Sequence, residues 1–393
     1  MFNEYIVLDF ESFFTDEYSL RKMTPPEYIN HPLFQSFGAS VTIGDKGKPV
    51  WLNHDQLQQF IDGLKKTKKP VVIISHNVLF DMCLLNWVYG YIPTLMIDTM
   101  GMARTLLGHI LRSVSLDSVA RYLGLPPKGK QLANVKGMYP ADMKRLGLWD
   151  GFMEYACHDG DLCRGIFKNL RDKFPISEYA VMHSVIECAV RPRFVLDKMV
   201  LAEHRNNLEV EKAQLLADCG MSDRSELMSN EKFADALRRL GDEPEMKKSI
   251  KTGKDAYGFA KTDQFMVDLD DHPDSQVQAL VAARVGHKST LEESRTQRFI
   301  NISNINHRIA YPGSYPEGSM PMALRYGAAH THRLGGDWKL NAQNMPRQFI
   351  RPGIKMPGRL RTSLAAPKGY KVVTVDAAQI EARMKAYING EED

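Results

Sequence analysis

The sequence predicts a mixed α/β fold, a sheet flanked by helices, followed by a mainly helical second half. Three observations support this prediction. A buried-strand pattern, IVLDFES, occupies residues 6–12, an apolar run, VVIIS, at 71–75 leads directly into a helical pattern, and long helical patterns follow Pro175. Because strands and helices alternate in the first part, we expect a sheet covered by helices, with the first strand at its centre.

The elements of the first part follow from the spacing of apolar residues. A Gly-Asp-Lys-Gly turn at 44–47 separates two strand patterns, and Asn77 is the expected N-cap of the helix that follows VVIIS. The predicted strands are 6–12, 37–43, 50–52 and 71–75, and the predicted helices are 55–65, 115–125 and 150–170.

Pro175 lies between two helical patterns and predicts a domain boundary, at which the second part begins. A basic loop lies between the third and fourth helices that follow. The chain closes with a strand that ends at Asp376 and a helix from about Ala378. The predicted helices between these points are 178–189, 197–218, 231–240 and 274–299.

The composition is that of a globular protein. At 393 residues the chain is long enough for two or three domains, and its net charge is +4 at pH 7. Five cysteines without a Cys-x-x-Cys pair indicate reduced thiols and no zinc site. No signal peptide and no apolar stretch of membrane-spanning length is present, so we expect a cytoplasmic protein, in the host cytoplasm if it is encoded by a phage.

Acidic residues stand at three places where a carboxylate needs a partner. Asp9 and Glu11 lie on one face of the first strand and repel each other unless a cation lies between them, although acids at strand ends are also common as solvated ends. Asp81 falls in the first turn of a helix, where it also complements the helix dipole. Asp159 continues an apolar helix stripe with Tyr155, and a carboxylate there is costly unless it is paired.

These residues fall into three blocks: Asp9-x-Glu11, His-Asn-x-x-Phe-Asp ending at Asp81, and Tyr155-x-x-x-Asp159. Together the blocks resemble the 3′→5′ proofreading exonuclease domain of family A DNA polymerases, in its tyrosine variant. The resemblance implies a ribonuclease H-like domain over 1–175 that cleaves DNA with two Mg²⁺ or Mn²⁺ ions. It also implies that Asp9 bridges the ions, that Glu11 and Asp159 hold the ion that activates water, that Asp81 supports the other, and that Tyr155 orients the water.

The second half resembles the polymerase part of the same family. THRLGGDWKLNAQNMPR at 331–347 is similar to the stretch that follows the minor groove of primer-template DNA, and DAAQIEAR at 376–383 is similar to the first palm motif. The resemblance implies a helical thumb over 176–300 and an incomplete α+β palm over 301–393. The stretch from Asn301 to Lys371 holds eleven Lys or Arg against two acids, which suits a phosphate backbone but is also compatible with a solvated basic surface.

The resemblance assigns roles to individual residues of this half. Those implied for DNA binding are Arg333, Asn341, Gln343, Asn344 and Arg347, together with the thumb lysines Lys247, Lys248, Lys251, Lys254 and Lys288. Those implied for the nucleotide site are Asp376, which would bind metal, Gln379 and Glu381.

The sequence also departs from the family pattern. His332 stands where the family usually has Gly, glycines 335 and 336 stand where it has Ser, and Ala377 replaces a commonly aromatic residue. The fingers helix and the second palm aspartate are not in the sequence. We therefore expect a proofreading exonuclease whose polymerase site needs a second chain, which would supply the fingers and the rest of the palm. The alternatives are a stand-alone exonuclease with a DNA-holding second half and a non-catalytic DNA-binding or assembly subunit.

Overall fold

A mixed five-stranded sheet forms the first part of the molecule. The computed structural model describes residues 4–129, 134–249, 253–305, 318–345, 349–351, 354–356 and 359–391. The strands of the sheet are β1 (Ile6–Ser12), β2 (Ser36–Ile43), β3 (Val50–Asn53), β4 (Val72–Ser75) and β5 (Leu95–Asp98). Their order in the sheet is β3-β2-β1-β4-β5, so the prediction that the first strand is central is confirmed.

Strand β1 owes its central position to side chains that are buried on both faces. Ile6, Val7 and Leu8 are all buried, as expected for a strand covered by helices on either side. The strand pairs antiparallel with β2, where Asp9 lies opposite Ser40, and parallel with β4. The predicted fold class, a mixed sheet flanked by helices, is therefore confirmed.

Helices on both sides of the sheet begin at polar caps. The Asn53 side chain accepts a hydrogen bond from the Gln56 N–H, and the Asp98 carboxylate accepts one from the Met100 N–H, so each strand end starts a helix. These helices are α1 (Pro25–Ile29), α2 (His54–Lys66), α3 (Leu79–Trp87), α4 (Thr99–Leu107), α5 (Leu116–Tyr122), α6 (Pro140–Arg145) and α7 (Trp149–Leu170).

The prediction that Asn77 caps α3 was wrong. The helix begins at Leu79 with Val78 at the cap position, and Asn77 has a left-handed backbone with φ 69°. The Asn77 N–H donates instead to Oδ1 of Asp98 at 2.9 Å. Asp98, at the end of β5, thus holds the turn that joins β4 to α3.

Long helices dominate the second part. Helix α9 packs against α13 and α14, and a separate hydrophobic core forms around Phe233 and Phe259. The elements are α8 (Ile176–Val190), β6 (Phe194–Leu196), α9 (Lys198–Asp218), α10 (Arg224–Met228), α11 (Asn230–Arg239), β7 (Met246–Lys248), β8 (Asp255–Tyr257), α12 (Gln264–Asp270), α13 (Ser275–Lys288) and α14 (Leu291–Ser303).

The helix predicted over 274–299 is two helices, so that prediction was wrong in its length. The chain breaks at Ser289 and Thr290, two residues with low helix propensity, and Glu292 then lies in the first turn of α14, where its charge is favourable. Lys212 of α9 donates to the Ser289 carbonyl at 3.3 Å, which helps to satisfy the backbone at the break.

The end of the chain contains short strands and an exposed arm. Residues 371–377 form no strand, although the sequence predicts one ending at Asp376, because no described strand lies beside them to share hydrogen bonds. The predicted helix is present. These elements are β9 (Ser319–Met320), β10 (Leu324–Arg325), β11 (Gly335–Gly336), a 3-10 helix (Ala342–Asn344), β12 (Phe349–Arg351), β13 (Ile354–Met356), α15 (Arg359–Thr362), β14 (Leu364–Ala365) and α16 (Ile380–Asn389).

The two parts of the molecule share one hydrophobic core. Residues from the sheet, from α8 and from the chain beyond residue 318 belong to the same cluster. Trp87 of α3 donates to the Val190 carbonyl at 2.9 Å, Arg104 of α4 donates to the Tyr326 carbonyl at 2.7 Å, and the Tyr326 hydroxyl bonds to Glu178. No helix within the described ranges is both long and apolar enough to cross a membrane.

Candidate nuclease site

Two carboxylates lie on the same face of β1. The strand alternates so that Phe10 is buried in the core, whereas Asp9 and Glu11 lie on the opposite face and are half-buried. The prediction that these two acids share a face is therefore confirmed. Their position at the end of the central strand places them where helices from other segments can approach.

Asp81 lies near these two acids, in the first turn of α3. Its side chain is 4 % exposed, and its Oδ1 accepts a hydrogen bond from the Phe10 N–H at 3.0 Å. That bond ties the start of α3 to β1 between Asp9 and Glu11. Asp81 is thus held beside the first two acids, although 69 residues of chain lie between Glu11 and Asp81.

Helix α7 supplies the fourth acid and a tyrosine. Tyr155 and Asp159 are 3 % and 4 % exposed, on the face of α7 that packs against β1 and β2. By hydrogen-bond geometry, neither the Tyr155 hydroxyl nor Oδ1 of Asp159 has a partner in the described chain, although Asp159 lies close enough to the hydroxyl to help raise its pKa. A buried polar atom without a partner is costly, so these two atoms indicate a place for a ligand or ion.

A close contact between backbone and side chain sets the position of α7. Gly160 follows Asp159 and packs against Ser40 of β2, and a Cβ atom at Gly160 would lie 2.5 Å from the Ser40 Oγ. A larger residue at this position would require the Ser40 hydroxyl to rotate away or the helix to move back from the sheet. The approach brings Asp159 to the edge that carries Asp9 and Glu11.

Lys128 also belongs to the site, although no sequence pattern identifies it. Its Nζ lies 2.6 Å from Oδ2 of Asp159 and 5.4 Å from the centre of the Tyr155 ring. Lys128 comes from the loop after α5, within a Pro-Pro-Lys-Gly-Lys stretch that has no periodic pattern. A lysine in such a loop is ordinarily solvated, so only the folded chain brings it to the acids.

Three of the acids, Asp9, Glu11 and Asp81, have pKa values raised by burial and by neighbouring acids. Burial, followed by the charge of Asp159, raises the pKa of Asp9 from 3.8 to about 7, and Lys128 opposes this shift. Burial and the neighbouring acids likewise raise the pKa of Glu11 and of Asp81 well above the usual range. Burial also raises the pKa of the Tyr155 hydroxyl, so this group stays protonated at neutral pH.

The residues fit a hard divalent cation by their chemistry. The donors are carboxylate oxygens, which suit Mg²⁺ or Mn²⁺, and an ion would pair with the unsatisfied oxygen of Asp159 and relieve the repulsion among the acids. Within the described ranges, no group of three or more Asp, Glu, His or Cys side chains is arranged to hold a metal ion. The Lys128 ammonium instead supplies the positive charge beside Asp159.

Most of the described residues that resemble the polymerase part of the family are exposed, unlike the four acids. Arg333 is exposed and forms an ion pair with Glu381 at 2.6 Å, which links the 331–347 stretch to α16. Asn341 has a left-handed backbone with φ 44°, and Gln343 and Asn344 are exposed in the short 3-10 helix after it. Arg347 lies outside the described residues.

The other residues predicted to bind DNA or a nucleotide lie on the surface, where the structure describes them. Lys247 pairs with Asp263 at the base of the β7–β8 hairpin, Lys248 and Lys254 are exposed, and Lys251 lies outside the described residues. Lys288 donates to Oδ1 of Asn230 at 3.2 Å. In the arm, Asp376 and Gln379 are exposed, and Gln379 has a left-handed backbone.

Comparisons with known proteins bear on the fold. No protein-family model matches the sequence, and no curated protein matches it. Among solved structures, one described as the POL domain of Pol1 from M. smegmatis in complex with DNA primer-template and dNTP is similar, with a TM-score of 0.58 at 16% identity. The similarity covers 99% of this chain and 60% of that one. The chain thus has the fold of part of a DNA polymerase domain.

Proposed function

We propose that this chain is a 3′→5′ DNA exonuclease and the DNA-binding part of a family A DNA polymerase. One observation carries the proposal. Asp9 and Glu11, Asp81, and Asp159 come from three distant segments and meet at the end of β1, where their proximity helps to raise the pKa values of Asp9, Glu11 and Asp81, beside the buried hydroxyl of Tyr155. Clustered acids with raised pKa values are typical of functional sites.

The acids would hold two Mg²⁺ or Mn²⁺ ions. When bound, such ions generate a nucleophile from water at neutral pH and stabilise charge on the phosphate oxygens. In keeping with the family resemblance, Asp9 would contact both ions, Glu11 and Asp159 one of them, and Asp81 the other. Asp81 is held beside β1 by its bond from the Phe10 N–H, and because no three described acids are arranged to hold an ion, the other ligands would close around the ions as they bind.

Tyr155 would orient the attacking water. Its hydroxyl is buried, has no partner in the described chain and keeps its proton, so it can donate to or accept from a water molecule held beside Asp159. Helix α7 carries both side chains one turn apart, which fixes their relative position. The products would be 5′-mononucleotides released from a 3′ end.

The second half would bind duplex DNA. The solved structure that shares this fold is a complex with primer-template DNA, which supports DNA as the partner. Arg333, Gln343 and Asn344 are exposed and carry donors that suit the acceptors common to all base pairs in the minor groove. Lys248, Lys254 and the other thumb lysines would meet phosphates, and this binding would weaken steeply with salt.

A second polypeptide would complete the polymerase site. The arm at 370–388 supports this part of the proposal, because its large apolar side chains are uncovered: Val373 is 82% exposed, Val375 90% and Tyr387 80%. The similarity covers 60% of the solved chain, and fingers and palm segments supplied by the second polypeptide would lie against this arm. Mixing the chain with a partner that carries those segments should restore primer extension, and extension that stays absent would count against a split polymerase.

The exonuclease assignment is tested by digestion of a 5′-labelled single-stranded oligonucleotide with Mg²⁺. We expect shortening from the 3′ end, and we expect Asp9→Ala and Asp159→Ala each to reduce the rate at least about 10³-fold while duplex binding stays intact. The control is Asp16→Ala, because Asp16 is an exposed acid of the same domain that pairs with Lys136. Equal digestion by Asp9→Ala and the unmodified chain would favour the non-catalytic subunit.

A further inference from the structure

The end of β1 is irregular at the point where it carries Glu11. Strands β1 and β2 pair in register as far as Glu11, which lies opposite Gly38. The next residue, Ser12, lies opposite Ser36, so β2 has one extra residue here and forms a bulge. Gly38 has a φ of 143°, which residues with a side chain rarely adopt. Bulges change the direction of neighbouring side chains, so the orientation of Glu11 depends on what holds the chain just after it.

The Tyr28 side chain of α1 holds this end of β1. Its hydroxyl donates to the Phe13 carbonyl and lies 3.0 Å from Oγ of Ser12. Because a carbonyl can only accept, the hydroxyl proton is directed at Phe13, and Ser12 donates to the Tyr28 oxygen. Burial raises the pKa of Tyr28, and the charge of Glu11 adds to this rise, so the phenol lies close to that carboxylate. One hydroxyl therefore fixes both residues that follow Glu11.

The ring of Tyr28 also contacts the segment that carries Asp81. It packs edge to face against Phe80, with the ring centroids 5.7 Å apart and the planes at 73°. Phe80 immediately precedes Asp81 in the first turn of α3. Tyr28 thus touches β1 directly after one acid and α3 directly before another.

Tyr28 is itself fixed by its surroundings. Its side chain is 2% exposed and stacks on Tyr18 with the ring centroids 4.3 Å apart, and the Tyr18 hydroxyl donates to the Tyr28 carbonyl at 2.8 Å. Helix α1 begins with a capping box of Thr24 and Glu27, and Asn301 of α14 donates to Oε1 of Glu27 at 3.2 Å. The phenol is therefore held in place from both parts of the molecule.

We propose that Tyr28 is a positioning residue of the candidate nuclease site, which orients Glu11 and Asp81 for the binding of divalent ions. Within the described ranges no three acids are arranged to hold an ion, so these ligands have to move on binding, and a support that limits their movement lowers the cost. Residues behind the ligands of a metal ion commonly have this role, and their loss lowers metal affinity or activity about 10- to 100-fold. This inference rests on the proposed exonuclease function.

Mn²⁺ binding to the full chain without DNA tests the proposal apart from hydrolysis. The signal of free Mn²⁺ in electron paramagnetic resonance measures the dissociation constant directly. We expect Tyr28→Phe, which keeps the ring and removes the hydroxyl, to raise this Kd about tenfold. In digestion, the Mg²⁺ concentration for half-maximal rate should rise by a similar factor, while KM for the oligonucleotide changes less than about twofold.

Two further variants separate positioning from stability. Ser12→Ala breaks the same link from the other side, so Tyr28→Phe combined with Ser12→Ala should weaken Mn²⁺ binding by less than the product of the single effects. Tyr18→Phe is the matched control, because it removes a buried hydroxyl of the same stack that does not bond to β1. Its Kd for Mn²⁺ should stay within about twofold, even where melting curves show the same loss of stability.

Unchanged Mn²⁺ affinity in Tyr28→Phe would overturn the proposal. An equal loss in Tyr18→Phe would also overturn it, since the effect would then reflect only the stability of the stacked rings. The nuclease assignment fails separately, if the unmodified chain binds Mn²⁺ but does not digest the oligonucleotide. In that case the comparison of Mn²⁺ affinities still decides the role of Tyr28.

Discussion

At the scale of single residues, the charge balance of the four acids at the end of β1 depends on one lysine. We call these acids, Asp9, Glu11, Asp81 and Asp159, the acidic edge. The Lys128 ammonium lies 2.6 Å from Asp159, and its charge lowers the pKa of both Asp9 and Glu11, which burial and their neighbours raise. Lys128 is partly exposed and belongs to a loop, so it can withdraw more easily than any of the acids. We expect a divalent cation at this edge to take over its electrostatic role.

Lys128→Met should therefore change the response to Mg²⁺. In the presence of a chelator, the acids of the variant have neither the lysine nor a metal ion as a counter-charge. The variant should therefore melt at a lower temperature than the unmodified chain at pH 8. Added Mg²⁺ should then raise the melting temperature by more in the variant, because it binds the folded state without displacing a lysine. Lys136→Met is the control, since Lys136 pairs with the exposed Asp16. A smaller Mg²⁺ response in Lys128→Met would show that the lysine acts together with the ion.

The raised pKa of Asp9 predicts that stability falls with pH when no divalent ion is present. Because the folded chain keeps a proton on Asp9 up to about pH 7 and the unfolded chain loses it near 3.8, the free energy of unfolding decreases as pH rises between these values. The half-buried His76 has the opposite effect. Its pKa is lowered by burial from 6.5 to about 4, so its contribution increases the free energy of unfolding as pH rises between these two values. The range from pH 6.5 to 8 therefore isolates the carboxylates.

Thermal melting in a chelator measures this effect. We expect the melting temperature to drop by roughly 2 °C or more from pH 6.5 to 8, and Asp9→Asn to flatten the drop. Added Mg²⁺ should remove it at pH 8, because the ion binds the ionised acids. A melting temperature that rises over this range would contradict the raised pKa of Asp9.

Residue-level reasoning from sequence identified the acids but not their surroundings. The period of two in a strand places Asp9 and Glu11 on one face, and the i,i+4 spacing in a helix places Asp159 next to Tyr155, so local geometry was sufficient for these pairs. Lys128 meets Asp159 through a tertiary contact from an irregular loop. Asn77 was misassigned because its competitor, Asp98, is 21 residues away in the chain.

At the scale of elements, the position of α7 against the sheet depends on Gly160. Gly160→Ala places a methyl group against the hydroxyl of the buried Ser40, so either this side chain adopts another rotamer or the helix shifts to make room. We expect a stability loss of about 1–3 kcal/mol and a loss of digestion larger than this alone explains, because Asp159 moves with the helix. The measurements are denaturant unfolding and the rate on a single strand with saturating Mg²⁺.

Another glycine of the same helix gives a matched control. A Cβ atom at Gly151 would meet nothing within 4 Å, so Gly151→Ala should leave digestion unchanged and stabilise the helix slightly. Combining Gly160→Ala with Ser40→Gly should recover part of the lost activity. Full activity in Gly160→Ala alone would mean that the approach of α7 to β2 does not set the position of Asp159.

Sequence reasoning missed one hairpin and predicted one strand that does not form. The hairpin of β7 and β8 carries short polar strands that have no apolar alternation, so the sequence indicated only a basic loop. The segment at 371–377 shows the opposite error. Its apolar alternation is typical of a strand, but a strand also needs a neighbour, and none is described beside it.

At the scale of the whole molecule, the exposed arm at 370–388 should promote association between chains. Val373, Val375 and Tyr387 are among the most exposed apolar side chains of the described residues. We expect sedimentation velocity to show concentration-dependent dimers or larger species, and the double variant Val373→Ser, Val375→Ser to shift the distribution towards monomer. Leu20→Ser, which removes an exposed apolar residue elsewhere, should not. An unmodified chain that remains monomeric at high concentration would contradict the prediction.

The shared core has a consequence for how a DNA end would travel. Tyr326 is bonded to both Arg104 and Glu178, and one continuous cluster of apolar side chains fixes the acidic edge relative to the surface around Arg333. In the proposed function, the protein therefore does not bend to bring these surfaces together, and the primer terminus has to unpair and extend across the gap. A mispaired terminus already lacks part of its pairing energy, so it would unpair and reach the acids more often than a correctly paired one. Mispaired nucleotides would then be removed preferentially, without any group of the protein that recognises a wrong base.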